Sequence, residues 1–520
     1  MTHSTNPGTN QDVDGEAAMH AASGYAASGP QFLGHPRGLA TLFFTEMWER
    51  FTYYGMRALL VLFLADTARG GFGLEDKIAT AIYGLYISAS YILCLPGGWI
   101  ADRLIGARRA VWHGGILIAI GNALLAIGSS TPTFYGGLMV IVCGVGLLKP
   151  NVSTMVADLY PEGGGRRDAG FTIFYMGINL GAFLGPIITG LLAQHYGWRP
   201  AFAAGSILMI AGLIQYRAFQ HHLGEAGLRI SDAHGTHTAV ATRRGWLTVG
   251  ALAAGLVLVY LLVLTGVVRI DPLTLAQTAG VLLAVIAIGY FAYMFLFAGL
   301  NGVERKRMLV ILFLFVGCAL FWAGFEQTGA SLNLFAERYV DRTIDAFDFV
   351  IPTAWFQSLN AVFILIFATP FSMLWVALAK RNLDPSAPAK FGLGLVLLGL
   401  GFLFMVAAAS IVARGEQAMP YLLVLTYLLH TYGELCLSPV GLSYVTKLAP
   451  SRFVSQMMGV WFLATSVGNL SAGLLSGMFE TDNLAAMPAQ FMNFVYFIVG
   501  AGVLLLLLSR PVKKLMGGIK

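Results

Sequence analysis

Charge is what this sequence has least of. Asp, Glu, Lys and Arg make up 11% of its 520 residues against 57% hydrophobic ones, and the mean hydropathy is +0.72. Soluble domains carry roughly a quarter charged residues, so a soluble fold is excluded. Cysteine is scarce as well. Cys94, Cys143, Cys318 and Cys436 lie singly within apolar runs and show no Cys-x-x-Cys spacing, so neither a disulfide framework nor a metal site is expected. There is no Gly-x-Ser-x-Gly elbow, no His-Glu-x-x-His helix and no phosphate-cradling glycine loop, which argues against a membrane-embedded enzyme. Gly163-Gly164-Gly165 reads as a turn before Arg166. The net charge of +6 sits in short clusters between apolar segments, where membrane orientation explains it better than nucleic-acid binding.

What the chain has in abundance is apolar length. A bilayer-spanning helix needs about 20 such residues. Candidate spans begin near Leu39, Ile78, Ala107, Thr133, Gly170 and Pro200, then near Trp246 and Pro272, then near Met308, Phe349, Phe391, Met419, Phe453 and Phe491. The expected fold is an all-α integral membrane protein of about fourteen spans, two six-helix bundles with two additional helices between them. The expected boundaries are a tail over 1–36, a bundle over 37–222, a linker with the two extra helices over 223–303, a second bundle over 304–510 and a tail over 511–520. The first tail is rich in Gly, Ser, Ala, Thr and Asn and has no apolar core, so it is expected to be disordered rather than a signal peptide. Leu148-Lys149-Pro150 in the fourth span and Leu437-Ser438-Pro439 in the tenth are a weak echo between the halves.

Lys and Arg assign the sides. With the N-terminus inside, the cytoplasmic loops receive Arg103, Arg108 and Arg109; Arg166 and Arg167; Arg243 and Arg244; Arg305, Lys306 and Arg307; Lys380, Arg381 and Lys390; Arg452; and Lys513 and Lys514. The opposite loops hold Asp66, Glu75, Asp76, Asp341, Asp345, Asp348, Glu480 and Asp482. This follows the positive-inside rule with both termini cytoplasmic, as in a multi-pass protein of a cell (inner) membrane.

Against this apolar background the buried charges stand out. In the first span Glu46, Glu49, Arg50, Tyr53, Tyr54 and Arg57 share one face at about 100° per residue. An ionisable residue near the bilayer midplane costs at least about 2.5 to 3.5 kcal/mol, so such residues face a bundle interior and mark a substrate or proton path. Lys149, Asn179, Glu326, Asn360 and Glu434 lie deep in other spans, and a buried lysine calls for a carboxylate partner. A carboxylate whose partner changes between two conformations links proton binding to that change. Asn179 and Asn360 also fit plain helix-to-helix hydrogen bonding, and His430, one turn before Glu434, fits packing better than proton relay. Tyr91, Trp322 and Trp461 line a pocket or simply pack.

Glu46-x-x-Glu49-Arg50-Phe51-x-Tyr53-Tyr54-Gly55 resembles the signature of the proton-dependent oligopeptide transporter family, a branch of the major facilitator superfamily. Gly97-Gly98-Trp-Ile-Ala-Asp102-Arg103 resembles the superfamily's loop between spans two and three. Gly146-Leu-Leu-Lys149-Pro150-Asn151, Phe174-Tyr175-Met-Gly-Ile-Asn179, Phe325-Glu326-Gln327 and Gly433-Glu434-Leu-Cys-Leu-Ser438-Pro439 resemble family motifs too. The resemblance implies a proton-coupled symporter importing di- and tripeptides by alternating access, without a cofactor and functional as a monomer.

It also implies roles. Arg57 and Lys149 match residues holding the peptide carboxylate, while Glu434, Asn179 and Asn360 match those meeting its amino terminus. Tyr53, Tyr54, Tyr91, Trp322, Ser438 and Trp461 match the pocket lining. Glu46, Glu49, Arg50 and Glu326 match proton-coupling positions, and Arg57 with Glu326 and Lys149 with Glu434 resemble gate salt bridges. Ala361 stands where the family often has proline after Asn360, and no histidine appears in the second span, which favours carboxylate-based coupling. The alternatives are a transporter of nitrate, an amino-acid derivative or a drug, and a receptor or channel, which would need no coupled acids and bases in both halves.

Overall fold

The computed structural model describes residues 31–128, 130–228, 239–478 and 483–517. The expectations for residues 1–30, for residues 229–238 of the linker, for Glu480 and Asp482, and for residues 518–520 of the second tail lie outside the described residues.

The first seven helices are α1 Arg37–Ala65, α2 Asp76–Ile92, α3 Cys94–Ile100, α4 Ala107–Ile127, α5 Thr131–Asp158, α6 Gly164–Tyr196 and α7 Trp198–Phe219. A π-helical turn, Ala101–Ile105, continues α3. The two helices α8 Ala239–Leu264 and α9 Pro272–Leu296 follow. The remainder is α10 Gly302–Phe325, the short α11 Ser331–Tyr339, α12 Leu359–Lys380, α13 Ala387–Val412, α14 Pro420–Leu448, α15 Val454–Ser476 and α16 Met487–Leu515. Among the described residues twelve helical segments are long and apolar enough to cross a membrane. α1 and α14, 29 residues each, fall outside that twelve although they are long enough; α1 carries the charged stripe.

One hydrophobic core joins α1, α2 and α4–α7 around Tyr83, Phe134 and Phe202; a second joins α9–α16 around Phe321, Phe391 and Phe402. The halves meet where α2 crosses α15. A Cβ on Gly473 would stand 2.7 Å from the Gly84 Cα, closer than the backbone allows, and one on Gly84 would stand 3.0 Å from the Gly473 Cα, so the pair of glycines permits this approach. Gly197, at φ 90°, turns the chain from α6 into α7 within one residue. α8 packs on the first half, where Tyr260 donates to the Pro132 carbonyl, and α9 lies over the seam, packing Ala276 against Ala81 of α2 and Leu470 of α15.

Several boundaries differ from the sequence reading. Residues 31–36, placed in the tail, form a hairpin whose His35 is hydrogen-bonded to the Tyr160 hydroxyl at 2.8 Å. The eighth bundle span begins at Thr353, with α12 itself starting at Leu359, rather than at Phe349, because Phe349–Val350 pairs with Thr343–Ile344 as a second hairpin and Pro352 keeps the residue before it out of helix. α6 and α8 start before Gly170 and Trp246, since Arg166, Arg167, Arg243 and Arg244 are good helix formers that carry the helix beyond its apolar stretch. α16 likewise runs past residue 510 to Leu515.

Candidate substrate and proton site

The helical period brings the α1 stripe to the interior. Glu46, Glu49 and Arg50 are 2%, 0% and 3% exposed. The Arg50 Nε donates to Glu46 Oε1 at 2.7 Å and stands 2.8 Å from Glu49 Oε2. Its N–H is directed at Glu46, so Glu49 has charge contact but no hydrogen bond, and both its oxygens are buried without one. Two carboxylates sharing one guanidinium leave this cluster one negative charge in excess when both are ionised.

Two turns on, Arg57 reaches across to the other half. Its Nη2 donates to Glu326 Oε2 at 2.6 Å and its Nε to the Tyr83 hydroxyl at 2.8 Å, while Tyr83 donates to the same Glu326 oxygen at 2.8 Å. The triad is closed and buried. Outside it, α11 and the segments around it add further ties between the halves. Arg338 grips Asp76 with two bonds of 2.6 and 2.7 Å, Arg69 pairs with Glu337 at 2.9 Å, and Asn333 donates to the Ala58 carbonyl at 2.9 Å. Asp66, at the end of α1, accepts from the Trp198 indole and from the backbone amides of Ala68, Arg69 and Gly71. Burial works to raise its pKa, but those hydrogen bonds together hold it below the usual value.

Lys149 of α5 has no carboxylate within 4 Å among the described residues; its Nζ stands 3.7 Å from the Tyr91 ring centroid and 5.8 Å from that of Tyr53. The Lys149–Glu434 pair is therefore open in this structure, while the Arg57–Glu326 pair is formed. Glu434 of α14 instead accepts from Asn360 Nδ2 at 2.8 Å, and that nitrogen also lies 3.2 Å from the Thr431 hydroxyl. Asn179 donates to the Tyr175 carbonyl of its own helix. Trp322 packs on Phe321 and Phe325, and Trp461 lies edge-on to Phe391. Ser438 is half-buried one turn beyond Glu434, and Tyr54 packs edge-on against Tyr53. His430 is fully buried against Phe402 and Phe325.

The arrangement places a free ammonium and a carboxylate on different halves, beside a buried acid–base cluster and beneath a closed set of ion pairs. Tyr83 and Thr431 were missed by sequence reasoning. Tyr83 shares a helix with Tyr91, but nothing in its spacing distinguishes it from a packing tyrosine. α11 was missed because its nine residues, Ser-Leu-Asn-Leu-Phe-Ala-Glu-Arg-Tyr, are too few for a membrane span.

A sequence profile of the POT family (PTR2) matches residues 108–492. The chain is similar to the peptide transporter YePEPT of Yersinia enterocolitica subsp. palearctica, 42% identical over 498 residues that cover 94% of this chain and 96% of the relative. It is 36% identical over 503 residues to a di-/tripeptide transporter of Lactococcus lactis subsp. cremoris, covering 94% and 98%. Its fold is similar to the crystal structure of a mutant peptide transporter POT in complex with alafosfalin, with a TM-score of 0.87, 37% identity and coverage of 96% and 99%. A POT family transporter in complex with 5-aminolevulinic acid gives 0.84, 33%, 94% and 99%.

Proposed function

The chain belongs to the POT family, and from that premise we propose that it imports di- and tripeptides together with protons. The observation that carries this reading is the separation of Lys149 from Glu434, each lodged on a different half and neither neutralised by the other. A free peptide is a zwitterion with fixed backbone ends and variable side chains. Lys149, with Arg57, supplies the cationic pole for its carboxylate; Glu434, steadied by Asn360 and joined by Asn179, supplies the anionic pole for its ammonium. Charge-assisted hydrogen bonds at both ends select that dipole, and Tyr53, Tyr54, Tyr91, Trp322, Ser438 and Trp461 line the space between. The names of the Yersinia and Lactococcus relatives support the substrate class.

Glu46, Glu49 and Arg50 form the proton-coupling cluster, in which the carboxylates take the proton and Arg50 stays charged. Glu49 accepts no hydrogen bond, so a proton placed there removes the excess negative charge without breaking an existing bond. Glu326 connects this chemistry to the conformational change, because neutralising it releases Arg57 across the halves. One positive charge moving inward gains about 2.3 kcal/mol per 100 mV, which suffices for accumulation once movement is coupled.

The same reading gives fourteen spans, six in the bundle over 37–222, two in the linker over 223–303 and six in the bundle over 304–510. Both termini are cytoplasmic, the protein resides in the inner (plasma) membrane, and it works as a monomer without a cofactor. The complex of a similar transporter with 5-aminolevulinic acid favours a second reading, an amino-acid derivative, since that molecule also bears an amine and a carboxylate. Competition separates the two. Dialanine should displace labelled dialanine from the purified protein, whereas 5-aminolevulinic acid displacing it at far lower concentration would move the assignment to the derivative.

A further inference from the structure

On the membrane-facing side of the second half, away from Lys149 and Glu434, lies a cleft of about 650 Å³ between α15 and α16, floored by α10. That volume falls within the range of small-ligand sites. It exists because α16 packs chiefly on α13, and because Ala319 and Ala323 on the floor and Ser471 on the wall are too small to fill the gap. Met478 and Phe497 flank it and are 74% and 63% exposed, so the cleft opens to the bilayer.

Among the described residues its lining contains no Asp, Glu, Lys or Arg. The polar groups are a hydroxyl and two carboxamides, Gln490 and Asn493, three residues apart on α16. At 1.5 Å per residue these lie roughly 5 and 9 Å in from the helix start at Met487, near the boundary between headgroups and hydrocarbon. The Gln490 Oε1 is buried and has no hydrogen-bond partner among the described residues, which leaves an acceptor waiting for a donor.

We propose that this cleft binds one phospholipid with a primary ammonium headgroup, drawn from the leaflet on the side of the Asp66 and Asp76 loops. The ammonium donates to Gln490 Oε1, an ester carbonyl accepts from the deeper Asn493 amide, and an acyl chain fills the space over Ala319 and Ala323. A choline headgroup has no N–H to give, and a lipid selected for negative charge would call for a cationic side chain, of which the described lining has none. The bound chain buttresses α10, the helix that leads directly into Glu326.

The test is mass spectrometry of the intact, delipidated full chain in detergent, titrated with dioleoylphosphatidylethanolamine or dioleoylphosphatidylcholine. The first ethanolamine lipid should bind at least fivefold more tightly than the first choline lipid. Gln490→Leu, at the rim, should abolish that preference; Ala323→Phe should remove the first binding step for both lipids; and Leu252→Phe on the exposed face of α8 should change neither. Equal affinities in the wild type, or a preference that survives Gln490→Leu, would overturn the proposal. So would a dimer that occludes the cleft and that Ala323→Phe dissociates.

Discussion

Replacing Glu326 by Gln keeps the shape of the triad and removes its negative charge. The Oε2 atom now accepts from both Arg57 and Tyr83, and the carboxylate is 3% exposed, so solvent screens little of the interaction. Hydrogen bonds to charged groups contribute about 1.5 to 3 kcal/mol against roughly 1 for neutral pairs. The variant also leaves a buried guanidinium without its counter-charge, and breaking a buried pair on one side costs about 3 to 5 kcal/mol in full. Because Gln retains an acceptor oxygen, the expected loss is about 2 to 4 kcal/mol of closure, a shift of about 30-fold or more toward the state in which the halves separate at this end. The outer pairs Arg338–Asp76 and Arg69–Glu337 are part-exposed and contribute about 0 to 1 kcal/mol each, so they do not compensate. Spin labels at Ala68→Cys and Glu416→Cys, exposed on opposite halves, report the separation by pulsed dipolar spectroscopy. The wild type should give mainly the short distance, and Glu326→Gln should make the long distance the larger population. An unchanged distribution in Glu326→Gln, alongside clear opening in Asp76→Asn, would refute the assignment of closure to the buried triad.

Lys149→Gln should weaken dialanine binding at least tenfold while affecting C-terminally amidated dialanine much less, as read by competition binding. Asp66 sits below its ordinary pKa in the folded chain, so its contribution is complete above the unfolded value and is lost as pH falls through the folded one. Thermal melts in detergent should therefore show Asp66→Asn less stable than wild type at pH 7, with the gap narrowing toward pH 3; a gap that widened on acidification would contradict the sign. Gly84→Val should lower the melting temperature by several degrees, because its side chain would collide with Gly473 and with the Leu470 carbonyl, 3.2 Å from the first added carbon. Unchanged melting would mean that the seam yields.

The α1 stripe was legible because a helix repeats every 3.6 residues, so Glu46, Glu49, Arg50 and Arg57 had to share a face whatever they met. Their partners were not legible in that way. Glu326 is separated from Arg57 by 269 residues, and only resemblance to a family joined them before the fold did. Tyr83 completes the triad, yet it is one of 20 tyrosines, and a tyrosine on an apolar helix reads as packing. The hairpin over Thr343–Val350 was invisible because its two-residue strands carry no periodic pattern. Lys149 is the converse case. Its deep position was plain from the sequence, but the ring of Tyr91, rather than a carboxylate, is what this conformation sets beside it.

Uptake of labelled dialanine into proteoliposomes under an imposed inward proton gradient, comparing wild type with Glu434→Gln and Glu49→Gln, tests the central claim most directly. The account predicts accumulation above equilibrium by the wild type, abolished by an uncoupler. Glu434→Gln should lose peptide binding, whereas Glu49→Gln should exchange peptide across the membrane yet fail to accumulate it. Gradient-driven accumulation by Glu49→Gln at the wild-type level, or none by folded wild-type protein, would contradict it.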